Sequence, residues 1–138
     1  NEVKYFVKEY YNPRLQIAFS KKISSFAHAS IDISDGLYQD MNHLIKYNNL
    51  EYYIDMSKIP ISKKLTIILK RKKINKNKVI SCGDDYQILF TSHKKFRNKI
   101  NNIAKKNRTK VSRIGIVKSK NKTISNKKLI NSGYIHKF

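Results

Sequence analysis

Asp32 and Asp35 lie close together, Asp84 and Asp85 adjoin, and these two groups hold four of the nine acidic residues in a chain that carries 30 basic ones. Acids scattered through so basic a chain would pair with lysines. Acids gathered together repel one another, which costs stability unless a cation lies between them. Mg²⁺ suits such a place, because it takes hard oxygen ligands and keeps water and phosphate oxygens as well. Ser34 sets a hydroxyl beside the first group. The chain has four glycines, and Gly36 and Gly83 stand directly beside the two acidic groups. Glycine belongs where backbone turns sharply or approaches something closely. The same residues also allow plainer roles: Asp35 or Ser34 as a helix cap with Asp32 merely exposed, and Asp84–Asp85 as an ordinary turn pair.

The elements around these residues follow from hydrophobic spacing. Ala29 to Ser34 alternates, with Ile31 and Ile33 on one side and Asp32 and Ser34 on the other, which predicts a short strand with a polar face. Asp35-Gly36 turns the chain. Leu37, Met41, Leu44 and Ile45 then recur at helical spacing. That helix is expected to aim its first amides and its positive dipole end at the cleft where Asp32 and Asp35 converge. Upstream, Pro13 is placed to open a helix in which Leu15, Ala18, Phe19, Ile23 and Phe26 recur. Downstream, Leu50 to Met56 is strand-like, and Ser62 caps a helix running through Leu69. A strand is expected at Val79–Ser81, a turn at Cys82–Asp85 and a strand over Tyr86–Thr91. A helix is marked by Phe96, Ile100, Ile103 and Ala104. Strands follow over Val111–Val117 and, less regularly, Thr123–Ile130. Intermixed helices and strands imply an α+β fold with one mixed sheet and helices packed on one face.

Length and composition bound the class. The 138 residues, 40% of them hydrophobic, suit one compact domain, and no internal repeat or linker divides them. A net charge of +21 permits nucleic acid as a partner. The lysines far outnumber the arginines, however, and arginine is the better marker of phosphate recognition. Lysine-rich stretches at Lys70–Lys78 and Lys118–Lys128 are expected to be solvated loops or edges. Cys82 is the sole cysteine, so no intrachain disulfide forms, and a reducing, cytoplasmic setting fits. Its thiol is expected to be small and buried rather than nucleophilic. No signal peptide is expected, and no apolar run is long enough for a bilayer, so no membrane partner is expected. A chain that starts at Asn1 rather than Met is expected to be a fragment, a processed chain or one with further residues upstream.

Several segments together resemble one family. Ala29-Ser30-Ile31-Asp32-Ile33-Ser34-Asp35-Gly36-Leu37 resembles the A-x-I-D-I-S-D-G-L segment of thiamine-monophosphate kinases, and Gln39-Asp40 through His43-Leu44-Ile45 continues it. Asn12-Pro13-Arg14 resembles the family's proline-containing lead-in to the preceding helix. Ile59-Pro60-Ile61-Ser62 resembles L-P-L-S, and Cys82 through Thr91 resembles G-G-E-D-Y-E-L-L-F-T. Arg113 through Val117 resembles a late x-I-G-x-V strand. Gly133-Tyr134-Ile135-His136-Lys137-Phe138 resembles the closing G-Y-x-H-F. The matches come in family order and contain all four glycines. Three departures stand out: Cys82 replaces the first glycine of a pair, Asp84 stands for a glutamate, and Lys137 is inserted before Phe138.

The resemblance implies the fold of the aminoimidazole ribonucleotide synthetase group, here its carboxyl-terminal domain. It implies ATP- and Mg²⁺-dependent phosphorylation of thiamine monophosphate to thiamine diphosphate. By the same resemblance Asp32 and Asp35 are metal ligands and Ser34 contacts ATP. Asp84 or Asp85 contacts the thiamine phosphate, and Tyr134 or Phe138 packs on its rings. His136 is expected to be structural. No covalent nucleophile is required. Family members are about twice this length, with further metal and ATP ligands and a homodimer contact in an amino-terminal half absent from this sequence, so the chain by itself is expected to be inactive. The rival readings are a sibling ATP-dependent enzyme of the same fold group and a basic nucleic-acid-binding domain. Nucleic acid is the less expected partner, since paired aspartates oppose phosphate unless a metal intervenes.

Overall fold

A computed structural model describes residues 2–120. The expected strand over Thr123–Ile130 and the closing segment with Tyr134, His136 and Phe138 lie outside the described residues. In chain order the elements are α1 (Glu2–Tyr11), α2 (Ile17–Ile23), β1 (Ala27–Asp32), α3 (Leu37–Ile45), β2 (Leu50–Ile54), α4 (Lys63–Arg71), α5 (Lys76–Ile80), β3 (Ile88–Ser92), α6 (Arg97–Lys106) and β4 (Gly115–Ser119). Short 3-10 turns at Met56–Lys58 and Lys94–Phe96 follow β2 and β3.

The α+β class stands. The strands do not form the expected single mixed sheet among the described residues. They pair as two antiparallel two-stranded ladders, β1 with β3 and β2 with β4. In the first, Ala29 faces Thr91 and Asp32 faces Ile88; in the second, Tyr52 faces Val117 and Ile54 faces Gly115. Strand alternation sends the side chains of β3 to opposite faces. Leu89 enters a core with Leu37, Met41 and Ile45 of α3, Tyr52 and Ile80. Ile88 and Phe90 enter another, with Phe19 and Ile23 of α2, Phe26 and Ala104 of α6. Helices therefore lie against both faces of the β1–β3 ladder rather than one.

Local chemistry accounts for most boundaries. Ser62 caps α4, its hydroxyl oxygen accepting the Leu65 N–H at 3.1 Å, as expected. Pro13 does not open a helix. It sits in the link between α1 and α2, where its missing N–H and its constraint on the preceding residue stop helical continuation. Phe19, Ile23 and Phe26 are buried, but Leu15 and Ala18 are exposed. Val79–Ser81 is not a strand. Asn75 accepts the Asn77 N–H at 2.9 Å and starts the short helix α5, which buries Ile80. Cys82 is exposed, not buried, because it follows α5 at the start of a turn, where its thiol donates to the Lys78 carbonyl at 3.2 Å. No helix among the described residues is long and apolar enough to cross a membrane.

Candidate functional site

The β1–β3 ladder does not stop at Asp32. The Ile33 N–H donates to the Gln87 carbonyl at 2.9 Å, the Tyr86 N–H to the Ile33 carbonyl at 2.9 Å, and the Asp84 N–H to the Ser34 carbonyl at 2.9 Å. The segments bearing the two acidic groups therefore run side by side, joined backbone to backbone. Glycine makes this approach possible. A Cβ at Gly83 would overlap the Ser34 carbonyl oxygen, and one at Gly36 would stand 2.5 Å from the Ser81 carbonyl oxygen. Gly36 also has a φ of +112°, which side-chain-bearing residues rarely adopt.

Asp32 ends β1 with an exposed side chain, and Asp35 is half-buried in the turn that follows. The Gln39 side-chain amide donates to Asp35 Oδ2 at 3.1 Å, tying it to the first turn of α3. Ser34 is half-buried, and its carbonyl is the one that receives Asp84. Asp84 and Tyr86 both hold left-handed backbone, with φ of 65° and 49°. Such conformations cost free energy for residues with side chains and persist where the surroundings impose them. Here the Tyr86 hydroxyl donates to Asp84 Oδ1 at 3.1 Å. That bond, the nearby charge of Asp84 and partial loss of water lift the phenol above its ordinary value, and Tyr10 and Asp32 add to the effect. The Asp32 carboxyl is thus within electrostatic reach of the ring that binds Asp84. Asp85 keeps solvent contact, yet loss of hydration and the adjacent Asp84 charge raise its carboxyl above the usual range.

The feature that sequence reasoning missed is Asp40. It is 1% exposed, and one of its carboxylate oxygens, Oδ2, accepts N–H groups from Ser34 at 3.0 Å, Asp35 at 3.1 Å and Gly36 at 3.2 Å. Neither Ser34 nor Asp35 caps α3; Gly36 holds the N-cap position without a side-chain bond, and Asp40 reaches back from the first turn. The three amides just ahead of α3 therefore close inward on a carboxylate. The available signal was an aspartate four residues after a turn glycine, in the helical turn where negative charge is favoured. His43, one turn further along α3, lies in the same matched segment and was likewise assigned no role. Single ligand atoms of Asp35, Asp40 and His43 all lie within 4.8 Å of one another.

Among the described residues the ion pairs are Lys58–Asp55 and Arg71–Glu2, each at 2.7 Å, and neither uses an acid of the two groups. Asp32, Asp84 and Asp85 thus gather without a lysine or arginine salt bridge among the described residues. Carboxylate oxygens are the hard donors that Mg²⁺ takes, but the group of three possible ligands that lies within 4.8 Å among the described residues is Asp35, Asp40 and His43, and it includes none of Asp32, Asp84 and Asp85. An open groove of about 550 Å³ lies elsewhere, lined by Tyr53, Ile54, Asp55, Lys58, Arg113, Gly115 and Ile116.

No family model matches the chain. It is 35% identical to the thiamine-monophosphate kinase of Buchnera aphidicola subsp. Schizaphis graminum, over 96% of its own length and 42% of that protein. It is 36% identical to the thiamine-monophosphate kinase of Aquifex aeolicus, over 64% of the chain and 29% of the relative. The crystal structure of thiamine monophosphate kinase from Aquifex aeolicus superposes with a TM-score of 0.70 at 30% identity, covering 84% of this chain and 37% of that one. AaThiL complexed with AMPPCP and TMP gives a TM-score of 0.72 at 29% identity, covering 86% of this chain and 36% of that one. The chain spans less than half the length of these relatives. In sequence and in fold together, the chain is similar to one part of the thiamine-monophosphate kinases.

Proposed function

We propose that this chain supplies part of the site for ATP-dependent, Mg²⁺-assisted phosphorylation of thiamine monophosphate to thiamine diphosphate. The observation that carries this reading is the backbone pairing of residues 33–34 with residues 84–87, which lays the two acidic groups side by side at one end of a ladder. The relatives named as thiamine-monophosphate kinases support it, as does the related structure holding AMPPCP, an ATP analogue, together with TMP.

In this reading Asp32 and Asp35 hold Mg²⁺, which when bound supplies positive charge against phosphate oxygens. The Ser34 hydroxyl contacts the nucleotide. Asp84 or Asp85 contacts the thiamine phosphate, with Tyr134 or Phe138 against its rings. The acceptor is itself a phosphate oxygen, so the chain needs no covalent nucleophile. Its part is to hold two anions at a fixed separation and orientation. The remaining metal and ATP ligands, and a homodimer contact, are assigned to an amino-terminal part that brings the enzyme to the length of its relatives. A cytoplasmic location follows from the same reading.

Titration calorimetry with Mg²⁺, then AMPPCP, then thiamine monophosphate tests the assignment. Asp32→Asn with Asp35→Asn removes the Mg²⁺ response, and Asp84→Asn with Asp85→Asn weakens thiamine monophosphate binding. Undiminished Mg²⁺ binding in the first pair would sink the reading. Assayed by itself with ATP and Mg²⁺, the 138-residue chain yields no thiamine diphosphate; brisk turnover would overturn the division of the site.

A further inference from the structure

Consecutive backbone amides that converge on one point form a nest, a ready seat for an anion, and the start of a helix adds a favourable dipole. The amides of Ser34, Asp35 and Gly36 converge in this way just ahead of α3, beside the residues assigned to metal and nucleotide. A phosphate group is the occupant such a seat would ordinarily suit. Here the seat is taken: Asp40 Oδ2 receives these amides at 3.0, 3.1 and 3.2 Å from a side chain that is 1% exposed. The carboxylate that fills the nest comes from α3 itself, so it is part of the fold and not displaceable like a solute.

Two consequences follow for Asp35. Its amide is fixed by Asp40 and its carboxylate receives Gln39, so both ends of the residue are set by the first turn of one helix. The three nest amides are also satisfied, so they no longer offer a seat to an anion.

We propose that Asp40 is a positioning residue that fills the amide nest ahead of α3, closing that nest to phosphate and holding Asp35 in place for a cation. The half of the proposal that concerns cations rests on the assignment of Asp35 to Mg²⁺; the half that concerns phosphate does not. Phosphate groups then reach this corner without using the amides of Ser34, Asp35 and Gly36.

Amide NMR of the ¹⁵N-labelled chain separates these statements. Titrated with inorganic phosphate, the wild-type signals of Ser34, Asp35 and Gly36 stay in place; titrated with MgCl₂, the Asp35 signal moves. In Asp40→Asn, which keeps the side-chain shape, Mg²⁺ affinity falls about tenfold, as for residues that orient metal ligands, and phosphate now shifts the nest amides. Asp35→Asn loses the Mg²⁺ response but still refuses phosphate, because its nest remains filled. An Asp40 that served stability alone would lower the melting temperature of Asp40→Asn without altering this selectivity, and a folded variant behaving so overturns the proposal. Phosphate shifting the three amides in the wild-type chain overturns it too, and that arm decides the matter even where Asp40→Asn does not fold. A wild-type chain with no Mg²⁺ response at Asp35 counts instead against the kinase assignment, and the phosphate arm still reports on the nest.

Discussion

The carboxyl of Asp85 is held above its ordinary value because neighbouring atoms displace water from it and Asp84 sets a negative charge beside it. The folded chain therefore keeps a proton on Asp85 at pH values where the unfolded chain has lost it. Between the ordinary and the raised value, stability falls as pH rises, and above both a constant penalty remains. Asp85→Asn is accordingly expected to raise the melting temperature at neutral pH, and the gain should vanish when melting is repeated in acid. Asp84→Asn removes one of the two causes of that shift, so the loss of stability should be smaller and should finish at a lower pH when melting is followed across the acidic range. At Gly83 the expectation is steric. Gly83→Ala forces the Ser34 carbonyl aside, at a cost of about 2 kcal/mol in denaturant unfolding, and shifts both acidic segments together because the same backbone bonds join them.

Among the elements, α4 is the clearest case of local control. Ser62 satisfies the Leu65 N–H, and Ser62→Ala should cost about 1 kcal/mol, read from urea denaturation with no change in Mg²⁺ binding. This cap was legible in the sequence, as were α3, α6 and β3, because a strong apolar period and a marked boundary agreed at each. The acidic segments were legible for a different reason: clustered charge beside scarce glycine is unusual in a chain of this composition. What escaped was set by contacts between distant segments. The spacing at Val79–Ser81 suits strand or helix equally, and the Asn75 cap together with the burial of Ile80 decides for helix. The apolar residues of α1 recur at helical spacing, yet none is buried, so the spacing had no core to point to. Asp40 looked like any acid near a helix start. Its meaning depends on amides of Ser34, Asp35 and Gly36 turning inward, which the order of residues does not show.

For the molecule as a whole, charge is unevenly laid out. Asp85 is the last acid in the sequence, so everything after it is neutral or positive. Lysines and arginines on α6 consequently have no acid on their own helix to pair with, and their mutual repulsion opposes the compact state. Raising ionic strength from roughly 0.01 to 0.15 M shortens the screening length from about 30 to 8 Å. The melting temperature should rise over that interval; a fall would mean that attraction between the acids and the basic surface outweighs the repulsion. The same field draws in phosphate-bearing molecules and holds off bare cations, which favours a metal that arrives already complexed to nucleotide.

The place of β3 between two apolar clusters has a bearing on how this chain can fail. Leu89 is seated on one side, Ile88 and Phe90 on the other, and the residues just before them lie in register with Ile33 and Ser34. Damage beneath α6 is therefore conveyed along the strand to the carboxylates, with no altered residue near them. Screens that score only loss of ligand affinity would recover such remote lesions alongside true contact residues, and only the accompanying drop in cooperativity of unfolding would tell the two apart.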